Sequence, residues 1–548
     1  MDTAVSPART YSHDGMHPPV PADPAHPADL LPAAAPWPDP DSAAGGDPTN
    51  DPWERCWQPG RIGDPADWDV AAAFHPGVTV TAAGTAAELR LPTGRRFPLA
   101  ADPDVRHAFG LLSDGWRSED ELVLAMQGGP RDSGMTKGQA SLRAALRRLG
   151  AAGVLRHALR VDGRVLAVAE PMTRAVLARV TPVRDSTARL SRFAWCRRDG
   201  ERMVLESPRS PIRIHLVDPV AAAVLVGLST AAVDQRQPTV HPDGCWDRVL
   251  VGVTGLLAAA GMLTYADTEE ADPVLAQREF HDLLFHTRSR LGRHDASLGG
   301  TYRFRGRIAP APAVAPRRHD RPALVLPRPD PGALGWGRPL GAVLEARRSV
   351  RDHGEPSIGS TELGHFLYRV ARVRRMIEPD PAAGVHYPAS DRPYPSGGAG
   401  YDLEIYPLVT RCAGVGPGLY HYDPDGHCLE PIEARPADLD AVTTGARLAA
   451  GMAGMPQVVL VLTSRFARLS WKYEGIAYAT TLKNVGVLFQ TMYLVATDMD
   501  LAPCAPGTGN SDLFAAMVGA DPAAEASVGE FLLGSQPLTS RNISAKAE

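Results

Sequence analysis

Two proline-rich stretches limit what this 548-residue chain can fold into. Residues 1–50 hold eleven prolines, many alanines, one Arg and no Lys; residues 308–332 include the run APAPAVAPRRHDRPALVLPRPDPG. Proline fixes φ and offers no N–H, so neither stretch supports a helix interior or a central strand. The first buries too little apolar surface to offset its ordering entropy and reads as a disordered tail. The second reads as a connector with polyproline-like stiffness. A chain this long exceeds what one core serves. The expected division is a tail over 1–50, one module over 51–175, a second over 176–275, a connector over 276–338 and a larger domain over 339–548.

The stretch 78–170 has the outline of a winged helix. VTVTAAGTAAELRLP alternates as a strand pair does, and ADPDVRHAFGLLS has helical spacing. Ser118 and Glu121 form a capping-box pattern ahead of an apolar run. SLRAALRRLGAAGVLRH predicts an amphipathic helix ending at Gly153, followed by two strands around an Asp162–Gly163 turn. A second copy follows: LRRLGAAGVL resembles GLLAAAGML, with Gly153 against Gly261, and DPDVRHAFGLL resembles DPVAAAVLVGL. One supersecondary unit used twice is one explanation; two unrelated Ala/Leu-rich helices is the other. Winged helices often serve DNA, but these copies lack a basic recognition helix, and a free strand edge suits a peptide instead.

Composition removes several classes of function. Lys plus Arg total 57 against 62 Asp plus Glu, a net charge of −5, which argues against a general nucleic-acid binder. No run approaches the roughly 18 to 20 apolar residues that span a bilayer. The N-terminus lacks the pattern of a signal peptide, so a soluble, cytoplasmic protein without a membrane partner is expected. The six cysteines contain no C-x-x-C pair, and neither a metal site nor a disulfide framework is expected. The lysines are Lys137, Lys472, Lys483 and Lys546 alone, so each stands where Arg was not used.

Beyond residue 339 helices alternate with apolar strands such as LEIYPLVT and QVVLVLTS, the pattern of an α/β or α+β domain. Chemistry concentrates in four places. Arg347, Arg348, Ser349 and Arg351 could clamp a phosphate through forked donors; a solvated basic helix end is the plainer reading. Tyr394 to Gly400 (YPSGGAG) lets backbone approach a flat ligand, or is an ordinary turn. Trp471-Lys472-Tyr473-Glu474 opens a long helical pattern and places two proton-exchanging groups side by side; Lys472 could equally be an exposed first-turn lysine paired with Glu474. Ala502 to Phe514 (APCAPGTGNSDLF) is a Gly/Pro loop leading to a helix cap at Ser511–Asp512. It is neither a P-loop nor a dinucleotide fingerprint. Metalloprotease, serine hydrolase and kinase motifs are missing.

In this order, RRSVRDH, YPSGGAGYDLEIY, PGLYHYDPDGHCLEPI, WKYEGIAYATTLKNVGVLFQTMYLVAT, LAPC and SVGEFLLG resemble the SagB-type dehydrogenases. These are FMN-dependent azoline oxidases of thiazole/oxazole-modified peptide biosynthesis, related to cyanobactin oxidases and built on the nitroreductase fold. The resemblance covers roughly 339–540, and FHDLLFHTRSRLGRHDASLGGTYRF looks like the segment preceding the domain in longer members. It implies an α+β fold: a C-terminal nitroreductase-like FMN domain preceded by two winged-helix-like modules similar to peptide recognition elements. It further implies a homodimer with FMN at the interface, an azoline-containing precursor peptide as substrate and a cyclodehydratase as partner.

By position, Arg347, Arg348, Ser349 and Arg351 would hold the phosphate and ribityl chain. Pro395, Ser396, Gly397 and Gly398 would lie along the isoalloxazine. Pro503, Cys504, Ala505 and Gly507 would close over the ring. Lys472 and Tyr473 match the family's catalytic pair, with Lys472 as general base, which requires its amine to be made less basic than usual. The sequence departs from the pattern at Gly400-Tyr401-Asp402, where Leu-Tyr-Pro usually follows the glycines, and at Pro506 and Thr508. Two other readings stand beside this one: an NAD(P)H-dependent reductase of nitro or quinone compounds, and a non-catalytic scaffold that tethers a cyclodehydratase to its peptide.

Overall fold

The computed structural model describes residues 68–538 apart from 84–85, 92–93, 95, 100–102, 127–136, 184, 231–245, 318–320, 331 and 333–336. The proposed tail over 1–50 lies outside them. The described residues divide between Ala296 and Ser297 into two compact units. The N-terminal unit therefore takes residues 276–296, including the helix Phe280–Arg288, out of the expected connector.

In the N-terminal unit one order of elements occurs twice. The strand Asp69–Phe74 precedes a three-stranded antiparallel meander (Thr79–Ala83, Ala86–Arg90, Arg96–Leu99), the helices Pro103–Asp114 and Lys137–Ala151, and the strand Leu155–Val161, which pairs back onto Asp69–Phe74. The strand Ala188–Leu190 likewise precedes a meander (Trp195–Asp199, Arg202–Glu206, Ile212–Leu216), the helices Pro219–Thr230 and Trp246–Ala259, and the strand Leu263–Tyr265, which pairs back onto it. The helix Glu119–Ala125 belongs to the first copy and opens with the expected capping box, the Glu121 N–H donating to Ser118 Oγ at 3.1 Å and the Ser118 N–H to Glu121 Oε2 at 2.6 Å. The copies are not separate bodies. Arg164–Pro171 pairs with Ile212–Leu216, so strands of both share a seven-stranded antiparallel sheet.

The two helices whose sequences resemble each other end alike. Gly153 and Gly261 take φ of 72° and 67°, left-handed conformations that glycine adopts without a Cβ penalty. Behind them the Val154 N–H donates to Leu149 O at 3.2 Å and the Met262 N–H to Leu257 O at 2.8 Å, the six-to-one bond of a Schellman cap in both cases.

The C-terminal unit is a three-layer arrangement around an antiparallel sheet. Its strand order is Leu324–Val325, Cys428–Ile432, Gly418–Asp423, Leu403–Val409, Val458–Arg465, Glu525–Ser535 and Leu501–Cys504. The strand Val458–Arg465 is buried along its whole length, which is why its first five residues, Val458 to Leu462, are a continuous apolar run instead of an alternation. Val458, Leu460 and Leu462 face one core, with Phe366, Leu488, Met492 and Phe531; Val459 and Val461 face the other, with Tyr406, Phe514 and Leu532. Each fully buried Leu or Val contributes roughly 1.5–3 kcal/mol. Helices Ser360–Ala371 and Ala477–Asp498 cover the first face, and Pro436–Ala450 and Ser511–Val518 the second. The longest of these, Ala477–Asp498, turns Thr481, Asn484, Val485, Leu488, Met492 and Ala496 inward at helical spacing. Among the described residues no helix is long and apolar enough to cross a membrane.

Alanine at either left-handed glycine should cost about 1–2 kcal/mol from backbone conformation alone. A Cβ at Gly153 would also sit 2.6 Å from Thr173 O, whereas one at Gly261 meets nothing within 4 Å. Chemical denaturation should therefore rank Gly153→Ala as the more destabilised; equal losses would show that the Thr173 strand end yields freely.

Candidate functional site

The Lys472–Tyr473 pair does not open the long helix. The chain leaves the short helix Ala467–Ser470, turns through Gly475 at φ 70°, and begins the next helix only at Ala477. This turn is held from outside by backbone pairing. The Gly299 N–H donates to Glu474 O at 3.0 Å, the Glu474 N–H to Gly299 O at 2.9 Å, and the Tyr302 N–H to Lys472 O at 3.1 Å. Thr301 Oγ1 donates to Glu474 Oε2 at 3.1 Å, and Arg303 pairs with Glu474 Oε1 at 3.3 Å. Glu474 is thus occupied by residues 301 and 303 and does not neutralise Lys472.

Lys472 instead stands among phenols. Its Nζ lies 5.1 Å from the ring centroids of Tyr387 and Tyr473 and 5.7 Å from that of Tyr302, and it donates to Tyr387 Oη at 3.0 Å. Burial alone would make the amine less basic, but the hydroxyl of Tyr387, backed by Tyr473 and Tyr302, more than reverses this, and Lys472 is held above its ordinary value. The expected lowering is therefore corrected. Among the described residues no cation opposes the charge on the amine, and the Tyr387 hydroxyl accepts from it.

The glycine turn reaches the same place. Gly398, at φ 59°, comes so close to the pair that a Cβ on it would fall on Tyr473 Oη and 2.5 Å from Lys472 Nζ. A Cβ on Gly397 would strike Thr480. Ala399 and Tyr401, neither a glycine, also adopt left-handed φ of 52° and 40°, and the Tyr401 N–H is tied to Ser396 Oγ at 3.0 Å. Pro395 and Ser396 lead into this turn as expected, and the strand Leu403–Val409 leaves it.

Beneath the turn, Asp402 is fully buried and accepts from Ser464 Oγ at 2.7 Å, Thr481 Oγ1 at 2.9 Å and Asn484 Nδ2 at 2.7 Å. Asn484 Oδ1 in turn accepts the Gly397 N–H at 3.1 Å. The residue that departs from the family pattern is thus the anchor of the glycine turn.

Residues 308–313 form a strap along this region, fixed through their carbonyls. Trp471 Nε1 donates to Ile308 O at 2.7 Å, Arg468 Nη1 to Ala311 O at 2.7 Å, Arg465 Nη1 to Pro312 O at 3.0 Å, and Arg392 Nη2 to Ala313 O at 3.3 Å. A proline-rich chain exposes carbonyls that no neighbouring N–H of its own satisfies, and arginines fill that need. Arg465 also pairs through Nε with Glu404 Oε1 at 2.8 Å, within a buried cluster in which His421 bridges Glu404 at 3.1 Å and Glu430 at 3.2 Å.

The arginine cluster gathers with the late loop. The Val350 N–H donates to Pro503 O at 2.8 Å; Tyr493 Oη is hydrogen-bonded to Ser349 Oγ at 2.8 Å and accepts the Ala505 N–H at 2.8 Å; the Arg347 guanidinium lies 5.5 Å from the Tyr493 ring. Among the described residues Arg347, Arg348 and Arg351 have no carboxylate partner, and Arg348 and Arg351 are exposed. Unpaired guanidiniums beside a hydroxyl and a backbone turn fit a phosphate-bearing group. Pro503 and Cys504 belong to the strand Leu501–Cys504, and the Cys504 thiol is 1% exposed in the core with Tyr406 and Phe514. The residue is buried as a whole and pairs with Leu532 in the sheet, whereas Gly507 lies in the exposed loop beyond. Asn484 and Tyr493 share one helix and stand about 13 Å apart along its axis, so the glycine turn and the arginine cluster are held at different levels of that helix. The residues missed from sequence are Tyr302, Tyr387, Asn484 and Tyr493; all belong to common types in ordinary contexts.

Residues 344–535 match the nitroreductase family, and residues 188–295 match the cyanobactin oxidase ThcOx family. The C-terminal unit thus carries a nitroreductase-family domain. The two matches in this order bear out the resemblance to the SagB-type dehydrogenases. MJ1384 of Methanocaldococcus jannaschii, named for the nitroreductases, is 28% identical over 165 residues, covering 30% of this chain and 76% of that protein. The microcin B17-processing protein McbC of Escherichia coli is 32% identical over 117 residues, 20% of this chain and 42% of that protein. Among solved structures, a chain of the E. coli microcin synthetase McbBCD complex with truncated pro-MccB17 bound is 21% identical at a TM-score of 0.30, covering 49% of this chain and 96% of that one.

The buried cluster gives the C-terminal unit a defined pH response. His421 is raised to about 9, because its bonds to Glu404 and Glu430 outweigh a larger single penalty from burial; Glu404 is lowered to about 2, where Arg465 and His421 together outweigh its burial. The histidine's contribution is complete below about 6.5 and is lost as pH rises through about 9. The glutamate's is complete above about 4.5 and is lost as pH falls through about 2. Thermal melting should show stability declining between about pH 6.5 and 9, and His421→Gln should flatten that decline while lowering stability in acid. An unchanged alkaline slope in the variant would assign the decline elsewhere.

Proposed function

We propose that this oxidoreductase dehydrogenates azoline rings of a ribosomally made peptide to thiazole or oxazole, with FMN as cofactor. The observation that carries the reading is the convergence of Lys472, Tyr473 and Gly398: two proton-exchanging side chains set against a glycine turn whose backbone is open to a flat ring. The unpaired guanidiniums of Arg347, Arg348 and Arg351, with Ser349, suit the phosphate, and Pro395 to Gly398 the ring system. Bound FMN would supply hydride acceptance, the half of the oxidation that no amino-acid side chain performs. The protein's part is to orient the azoline and to take the proton released from the adjacent ring carbon, through Lys472 Nζ or Tyr473 Oη. The relatives support this choice of substrate: ThcOx is described as a cyanobactin oxidase and McbC as a microcin B17-processing protein. In this reading the N-terminal unit, with its two similar copies, recognises the precursor peptide or a cyclodehydratase, and two copies of the chain form a homodimer.

The deciding experiment is anaerobic reduction of the flavin-loaded protein, followed in the flavin absorbance band, with an azoline-containing peptide in one cell and NAD(P)H in the other. Bleaching by the peptide, with loss of two hydrogens per ring, is expected. Bleaching by NAD(P)H alone would favour a nitro or quinone reductase, and a protein that takes up no flavin would be a scaffold.

If Lys472 Nζ is the base, its raised basicity delays the active form, and turnover should still be climbing above pH 9. Lys472→Ala should abolish azole formation and leave flavin bound. A rate independent of pH across that range would mean that Lys472 acts as an ammonium ion and that Tyr473 Oη or the substrate's surroundings accept the proton.

A further inference from the structure

We infer that Tyr387 is a positioning residue of the Lys472–Tyr473 site, its hydroxyl joining Lys472 Nζ to the carbonyl of Gly398. The inference rests on the role given to that pair above. A phenol has one proton to donate. Tyr387 Oη gives it to Gly398 O and accepts from Lys472 Nζ at 3.0 Å. Toward the lysine it can therefore only accept, which makes Nζ an obligatory donor and fixes the direction of one of its N–H bonds. The remaining positions on the nitrogen are left for the substrate side. The hydroxyl cannot swing away, because the Tyr387 ring is 6% exposed, lies 6.1 Å from the Trp471 ring and carries the Arg468 guanidinium 5.6 Å over its face. One hydroxyl thus sets both the amine and the turn that would lie along the flavin.

The groups facing Lys472 come from every neighbouring segment. Tyr302, with the His386 ring 5.1 Å from its own, approaches from the segment ahead of the strap. Tyr387 and Arg468 lie on a second side and Tyr473 on a third, while Glu474 is turned to Thr301 and Arg303. Among the described residues no carboxylate pairs with Lys472, so the Tyr387 hydroxyl is its principal acceptor.

The test uses the full chain and needs neither peptide nor turnover. With only four lysines in the sequence, Lys472 and the exposed Lys483 can be followed separately by mass spectrometry after brief acylation across a pH series. In the wild type, Lys472 should reach half-labelling at higher pH than Lys483. Tyr387→Phe retains the ring contacts and should lower that midpoint by about one unit, a tenfold gain in labelling at a fixed pH below it. The same variant, loaded with flavin and assayed above both midpoints, where the amine is free in each protein, should lose about tenfold in kcat for azole formation at unchanged KM. Tyr302→Phe, which alters a ring facing the amine without removing a hydrogen bond to it, should move the labelling midpoint less than Tyr387→Phe does.

The inference is overturned if wild-type Lys472 labels with Lys483, a result that does not depend on any variant folding. It is equally overturned if Tyr387→Phe leaves the midpoint unmoved, or if Tyr302→Phe moves it as far. A shifted midpoint in a protein that oxidises no azoline would retain Tyr387 as the holder of Lys472 and sink the substrate reading alone.

Discussion

A single buried carboxylate, that of Asp402, fixes the geometry from which the rest of the C-terminal site follows. Removing a charge from water costs several kcal/mol unless its lone pairs are met, and here three donors meet them, from the strand Val458–Arg465 and from the long helix. The helix is held at Thr481 and Asn484 in the one rotation that satisfies the acid. Asn484, with its amide nitrogen committed to Asp402, has its oxygen left for the Gly397 N–H. Ala399 and Tyr401, left-handed without being glycines, would each be disfavoured in isolation; the bonds from Asn484 to Gly397 and from Ser396 to Tyr401 hold the turn that contains them. Gly398 is thereby delivered to Lys472 and Tyr473.

The lysine environment shows how a cation is kept without a counter-ion. Aromatic faces and a phenolic lone pair attract an ammonium more weakly than a carboxylate does, yet enough to outweigh partial desolvation. A salt bridge to Glu474 would have fixed the charge and closed the nitrogen to other partners. Its diversion to Thr301 and Arg303 leaves Lys472 both charged and available.

Much of this was legible in the sequence, and the failures have physical causes. The nitroreductase-like domain announced itself through linked motifs, and the repeated C-terminal glycines, Gly153 and Gly261, marked two helices that end with the same cap. The start of the long helix was misplaced because Trp471 to Glu474 share its apolar rhythm, while the left-handed Gly475 that separates them looks like any glycine in one dimension. The basicity of Lys472 was misjudged for a related reason. It depends on Tyr387, 85 positions away in the chain, and a tyrosine before a proline carries no signature. Asp402 stood out only as a departure from a family pattern, since the donors that explain it are 62, 79 and 82 residues distant.

The segment that supplies Tyr302 and the strap lies ahead of the region that matches the nitroreductase family, which begins at residue 344. Sequence kinship and chemical completeness therefore have different borders in this protein. Residues 299–313 lie outside the matched region yet wall the lysine and tether Trp471, Arg465 and Arg468. Such an arrangement restricts portability: an exchange of front ends preserves the working centre only where the crossover falls upstream of this segment, so the linker belongs with the active domain and not with the modules it connects.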